Sequence, residues 1–207
     1  MADTLDILSL SEGRVAINVP DQVSSIDTEL AQFITAVSRV IDDEVGPVVQ
    51  RTVTAEVHPG GYASITLRNR PIVSVTTVRT TQGGSISTIS AVPFGTSAEG
   101  YYLDPLNSGV LYRRVGTINT GWDSTYEIEV TYVAGRYANT AAVDAQFKAC
   151  AAAILRRLWK REAGTWAQSP DFFEQIDTGN VSTGFYRAAK PIIDEMLGRK
   201  RKLQAIG

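Results

Sequence analysis

Few residues in this 207-residue chain are of types that do chemistry, and their spacing decides what each can be expected to do. His58 is the only histidine and stands in the turn His58-Pro59-Gly60-Gly61. General-base or metal-ligand work would need a carboxylate or a second ligand at motif spacing, and none has it. Asp42, Asp43 and Glu44 offer three carboxylates in a row, but consecutive helical positions point in different directions and do not converge on a cation. A solvated helix face is the expectation. Cys150, the only cysteine, allows no intrachain disulfide and no thiolate cluster, and lies on an apolar helical stripe where a buried, inert thiol is expected. Trp122, Trp159 and Trp166 are isolated tryptophans, which pack in cores and interfaces more often than they form binding platforms. The chain has no phosphate-binding glycine loop ending in Lys-Ser or Lys-Thr, no Gly-x-Ser-x-Gly elbow and no His-Glu-x-x-His. No catalytic, cofactor-binding or metal-binding residue is therefore assigned, and no enzyme is expected.

Cations are the remaining signal. Arg156, Arg157, Lys160 and Arg161 crowd the end of one predicted helix, where the dipole favours positive charge. They form two i,i+4 like-charge pairs, mildly unfavourable unless a neighbouring carboxylate offsets them. They are read as inter-subunit contacts, with a solvated helix end as the alternative. Arg199, Lys200, Arg201 and Lys202 follow the last predicted helix in a chain whose formal net charge is -2. Such a basic tail suits an acidic partner. The weakly acidic total argues against a general nucleic-acid binder.

The elements around these residues follow from period. Residues 25–46 carry an apolar stripe of Ile26, Leu30, Phe33, Ile34, Val37, Ile41 and Val45, with Ser25 as cap, Asp27 and Glu29 in the first turn, and Gly46-Pro47 as stop. Leu5, Ile7, Leu8 and Leu10 before it read as a short helix. From Val49 to Val133 the period becomes two. Val53, Ala55 and Val57 alternate with Thr52, Thr54 and Glu56, and Tyr62–Leu67 reads as the hairpin partner of that strand. Ile128, Val130 and Tyr132 alternate with Glu127, Glu129 and Thr131 in the clearest strand. Helical period returns with Val143, Phe147, Cys150, Ile154 and Leu158 over 140–163, then a loop, then a short C-terminal helix opening near Lys190-Pro191.

The expected fold is α+β: a helical core with long helices near 25–46 and 140–163, carrying an inserted antiparallel β-sandwich or barrel-like module. The division is 1–48 with 134–207 for the helical domain and 49–133 for the insert. No apolar run approaches the roughly 20 residues that span a bilayer, so no membrane is expected. The opening residues, MADTLDILSL, lack the basic segment and apolar run of a secretory signal.

Four stretches taken in order resemble the head–tail adaptor, or connector, proteins of long-tailed bacteriophages: LRNRPIVSVTTV; GVLYRR with YEIEVTYVAGRY; AAVDAQFKACAAAILRRLWKREAG; and VSTGFYRAAKPIIDEMLGRKR. The resemblance covers most of the chain from residue 25. It departs at Arg136, where an aromatic is more usual, and before the long helix, where an expected proline is replaced by NTAAVD.

What the resemblance implies is a structural virion protein. Family members assemble as a ring, usually dodecameric, between the portal protein and the stopper or tail-completion protein, and packaged DNA passes through the channel without sequence-specific binding. On that implication the protein belongs to the virion neck, after assembly in the host cytoplasm. Arg199, Lys200, Arg201, Lys202 and Leu203 dock onto the portal, and no cofactor is involved. The alternative is a β-sandwich binding module, a capsid decoration or glycan-binding protein, resting on the aromatics Tyr62, Phe94, Tyr101, Tyr102 and Trp122.

Overall fold

A computed structural model describes residues 4–20, 24–104, 109–162 and 183–198. The chain is α+β, with four α-helices and two antiparallel sheets among the described residues. It divides into a helical unit, residues 1–49 and 137–207, and a β-unit, residues 50–136.

In the helical unit, α1 (Leu10–Ile17) begins at a capping box: Ser9 accepts from the Glu12 N–H and Glu12 accepts from the Ser9 N–H. The helix thus starts at Leu10, later than the apolar residues Leu5, Ile7 and Leu8 implied. Asn18 ends it in the left-handed conformation. Helix α2 (Asp27–Val45) carries the expected stripe, with Leu30, Phe33, Ile34, Val37, Ile41 and Val45 all buried. Its N-cap is Ile26 rather than Ser25, with no side-chain bond. Asp27, the anion of the first turn, is held by Arg14, whose guanidinium reaches both its oxygens.

Helix α3 (Ala145–Glu162) starts five residues later than its apolar period suggests. Asn139 caps a separate 3-10 turn, Thr140–Ala142, and Asp144 then accepts from the Gln146 N–H at 2.7 Å. Helix α4 (Thr183–Leu197) is longer than expected and holds Pro191 in its interior, not at its first position. Its buried face of Ala188, Ala189, Ile193 and Leu197 extends the helical period upstream of the proline. Packing on the core outweighs the one backbone bond that Pro191 removes.

These helices enclose one core, with Phe33, Phe147, Ile154, Leu155 and Cys150 at its centre. Trp159 packs edge-on against Phe33, their ring centroids 5.6 Å apart. Burial pushes the Cys150 thiol up to about 11. Native protein is accordingly expected to leave Cys150 unlabelled by a thiol reagent at mildly alkaline pH, and to label fully after denaturation. Rapid labelling of the folded chain would contradict that packing.

Among its described residues the β-unit holds two open sheets, and no barrel closes. One has the order β1-β8-β3-β4, built from β1 (Arg51–Pro59), β3 (Ile72–Gln82), β4 (Ser85–Ile89) and β8 (Glu127–Ala134). In the other, β6 (Val110–Val115) pairs with β2 (Ser64–Thr66), β5 (Gly100–Leu103) and β7 (Ile118–Thr120). The expected β1–β2 hairpin is absent: β1 pairs with β8, and β2 pairs with β6 in the other sheet. Three residues of β2 bury only Ile65 well, and that side chain joins the core between Leu67, Leu111 and Tyr101. The turn at Gly83-Gly84 does form a hairpin, both glycines having positive φ as a primed turn requires.

Candidate functional site

The groups able to do chemistry collect in two places, one in each unit. In the β-unit the first is Glu56, a carboxylate only 8% exposed. It receives His58 Nε2 at 2.8 Å, the Arg68 N–H at 3.0 Å and the Tyr132 hydroxyl. Tyr132, fully buried, in turn accepts from the Asn69 N–H at 3.1 Å. With a carboxylate as partner, His58 Nε2 is the donor. Burial by itself would raise the Glu56 carboxyl, but hydrogen bonds from His58, Tyr132 and Arg68 outweigh it and hold the group below its ordinary value. Burial, followed by the neighbouring carboxylate, pushes the Tyr132 phenol up to about 12.

This cluster exists because of a β-bulge. Val53 faces Tyr132 across the ladder and Glu56 faces Val130, so one extra residue lies on β1 between them. Ala55, at φ 54°, is the bulged position. Parity therefore switches along β1. Glu56 and His58 turn inward beside Val130 and Ile128, while Val57 turns outward at 44% exposure. Strict alternation from Val53 assigns the opposite faces. The carboxylate that His58 lacks at motif spacing is its own neighbour two positions back. What the cluster does is hold the corner Arg68-Asn69-Arg70-Pro71 onto β1 and β8.

In the helical unit, α1 and α3 leave a groove of about 410 Å³ between them. The small side chains of Ala16, Ala149 and Ala152 form its floor, with Leu8 and Val15 as apolar walls and Lys148, Glu12 and Arg156 at its rim. Lys148 is paired with Glu12 at 2.6 Å. Burial would raise the Glu12 carboxyl, but the bonds from Lys148 and Ser9 hold it below its ordinary value. Arg156 gives its Nε–H to the Ala16 carbonyl at 2.9 Å, which ties α3 to α1 and fixes the guanidinium.

Of the expected inter-subunit cations, Arg156 lines this groove. Arg156, Arg157 and Lys160 are exposed on α3, and Arg161 belongs to the same helix. The tail residues Arg199, Lys200, Arg201, Lys202 and Leu203 lie outside the described residues, as does Trp166. Lys190 is bound to Glu44 at 3.1 Å within the helical unit. The Asp42–Glu44 run is not a uniformly solvated face, because Asp42 is buried and accepts from the Val48 N–H at 2.8 Å. Among the described residues no three His, Cys, Asp or Glu side chains converge as a metal site. No helix there is long and apolar enough to cross a membrane.

No protein-family model matches the chain, and no curated protein matches it in sequence. Among solved structures, a chain in the neck of an empty gene transfer agent particle, computed with C6 symmetry, superposes over 86% of this chain and 90% of that one, with a TM-score of 0.60 at 15% identity. The two chains share a fold. A chain in the virion of a native gene transfer agent particle matches over 84% of this chain and 88% of that one, with a TM-score of 0.51 at 14% identity. At such identity the fold is shared while most side chains differ.

Proposed function

We propose that this protein is a structural component of the neck of a phage-like particle, assembling as a head-to-tail adaptor ring between the portal and the stopper or tail-completion protein. The observation that carries the reading is the neck-protein fold, which extends over 86% of the chain and so takes in both units. In this reading the ring is dodecameric and closes through heterologous contacts, a different face of each subunit meeting its neighbour. Arg156, Arg157, Lys160 and Arg161 contribute to those contacts. Packaged DNA passes through the channel, and a chain of net charge -2 lacks the surplus of cations that would release counterions and grip it. Arg199, Lys200, Arg201, Lys202 and Leu203 dock on an acidic portal surface, where complementary charge steers encounter and orientation. The buried Glu56 cluster serves architecture, and no catalytic step is assigned.

The decoration or glycan-binding alternative loses most of its support. Of its five aromatics, Tyr101, Tyr102 and Trp122 are buried, and only Tyr62 and Phe94 are exposed. A stacking platform needs ring faces open to the ligand.

Truncation after Gly198 tests the docking assignment. The truncated chain is expected to stay folded, with unchanged far-UV circular dichroism and melting, yet to be missing from DNA-filled heads. Recovery at normal occupancy on such heads would refute the docking role. Imaging the labelled full-length protein separates the two readings: a single neck position supports the adaptor, whereas many copies over the shell support decoration.

A further inference from the structure

The groove between α1 and α3 combines three properties. Its floor is apolar and small-chained, Val15 on its wall is 75% exposed, and Arg156 stands at its rim held by one nitrogen. Among the described residues the Nη1 and Nη2 nitrogens of Arg156 have no partner, so the guanidinium is fixed in place while its two terminal donors stay available. An arginine held in this way presents a fork suited to a carboxylate. Arg157 and Lys160 add positive charge nearby, both exposed. A matching occupant must therefore bring large apolar side chains and carboxylates within a few residues of each other.

The described helices of the chain do not qualify, because each packs its apolar face into the core of its own unit. The C-terminal tail is basic and of the wrong sign. One stretch does qualify. Residues 171–177, which lie outside the described residues, read Asp-Phe-Phe-Glu-Gln-Ile-Asp: three carboxylates and three large apolar side chains in seven positions. No other part of the sequence joins Phe-Phe to that much negative charge.

We propose that the α1–α3 groove of one copy receives the Asp171–Asp177 segment of a second copy, with Phe172 or Phe173 over the alanine floor and a carboxylate on Arg156. Groove and segment lie at different places on the chain, so the contact is heterologous. Repeated head to tail, it links copies into a ring or an open chain, depending on whether the rotation closes. The inference rests on the ring reading only in requiring several copies side by side. It involves neither the portal nor the C-terminal tail.

Two single-cysteine additions test it in the full-length chain. Ala149→Cys places a thiol in the groove at an exposed position, and Phe173→Cys places one in the segment; native Cys150 is buried. Mixing the two concentrated variants under mild oxidation is expected to give a disulfide-linked pair containing one chain of each kind. Adding Arg156→Ala to the groove variant should lower its yield roughly tenfold, the equivalent of one charge-assisted pair. Adding Arg157→Ala, outside the groove lining, should leave it nearly unchanged. Equal losses from both arginine variants would reduce the effect to diffuse charge and overturn the proposal. So would the absence of mixed pairs. So too would a bond that forms only within single chains carrying both cysteines, since the segment would then occupy its own groove. None of these outcomes bears on tail docking, which the truncation after Gly198 tests separately.

Discussion

Replacing Gly60 with alanine is expected to destabilise the β-unit by about 3 kcal/mol or more, on the scale of severe overpacking. A Cβ on Gly60 would stand 1.8 Å from the Asp123 carbonyl oxygen and 2.8 Å from that of Tyr126. Both are backbone atoms, so no side chain can swing aside. The turn is held there by three bonds: Gly60 N–H to Tyr126 O at 2.9 Å, Gly61 N–H to Trp122 O at 2.7 Å, and Trp122 N–H to Tyr62 O at 2.8 Å. Relieving the clash means lifting the 121–126 loop, which breaks those bonds and draws the buried Trp122 away from the β core. Urea unfolding followed by tryptophan fluorescence measures the loss. Gly84→Ala is the control. Its φ of 85° is unfavourable for alanine, but nothing stands within 4 Å of the added carbon, so about 1 kcal/mol is expected. If Gly60→Ala cost no more than Gly84→Ala, the close approach of turn and loop would be wrong.

Glu56→Ala is expected to cost about 3 kcal/mol at neutral pH, because it leaves three donors without their acceptor in a poorly hydrated place. The three are His58 Nε2, the Tyr132 hydroxyl and the Arg68 N–H. The loss should fall on the corner Arg68-Asn69-Arg70-Pro71, whose amides exchange faster in the variant. Acid supplies a second check. The Glu56 carboxyl is held below its ordinary 4.5 in the folded chain, so its contribution is complete above that value and lost as pH falls through the folded-state value. The stability gap between wild type and Glu56→Ala should narrow on acidification. A gap that stayed constant, or a variant as stable as wild type at neutral pH, would show that Glu56 does not organise the corner.

Much of the helical unit is readable from the sequence alone. The α2 stripe from Leu30 to Val45 is buried as its period requires, because a helix repeats every 3.6 residues whatever it packs against. The capping box Ser9–Glu12 also stood in the sequence and would have placed α1 at Leu10 rather than around Leu5. The alternation Ile128, Val130, Tyr132 assigned the inward face of β8, the strand that lies between β1 and β3. These are local rules: spacing, capping and pleat follow from covalent geometry within a few residues.

What the tertiary structure decided is where locality fails. No local signal in Arg51–Pro59 announces that Ala55 will bulge, yet the bulge reverses the strand's parity and carries Glu56 and His58 inward to meet Tyr132, 76 residues away from Glu56. The partner of β2 is likewise a choice among distant strands. Tyr62–Leu67 follows β1 directly, but its Ile65 is buried in the second sheet opposite Leu111. Helix α4 runs through Pro191 because Ala188 and Ala189 find a core to bury against, a gain that the proline's own sequence neighbourhood does not contain. The groove beside Arg156 belongs to this class too. Alanines on two helices far apart in sequence become its floor only when α1 and α3 meet, and the Ala16 carbonyl that fixes the guanidinium is 140 residues away from it. Periodicity thus determined the elements and most of their buried faces, while contacts between residues remote in sequence determined strand partners, parity and the surfaces available for assembly.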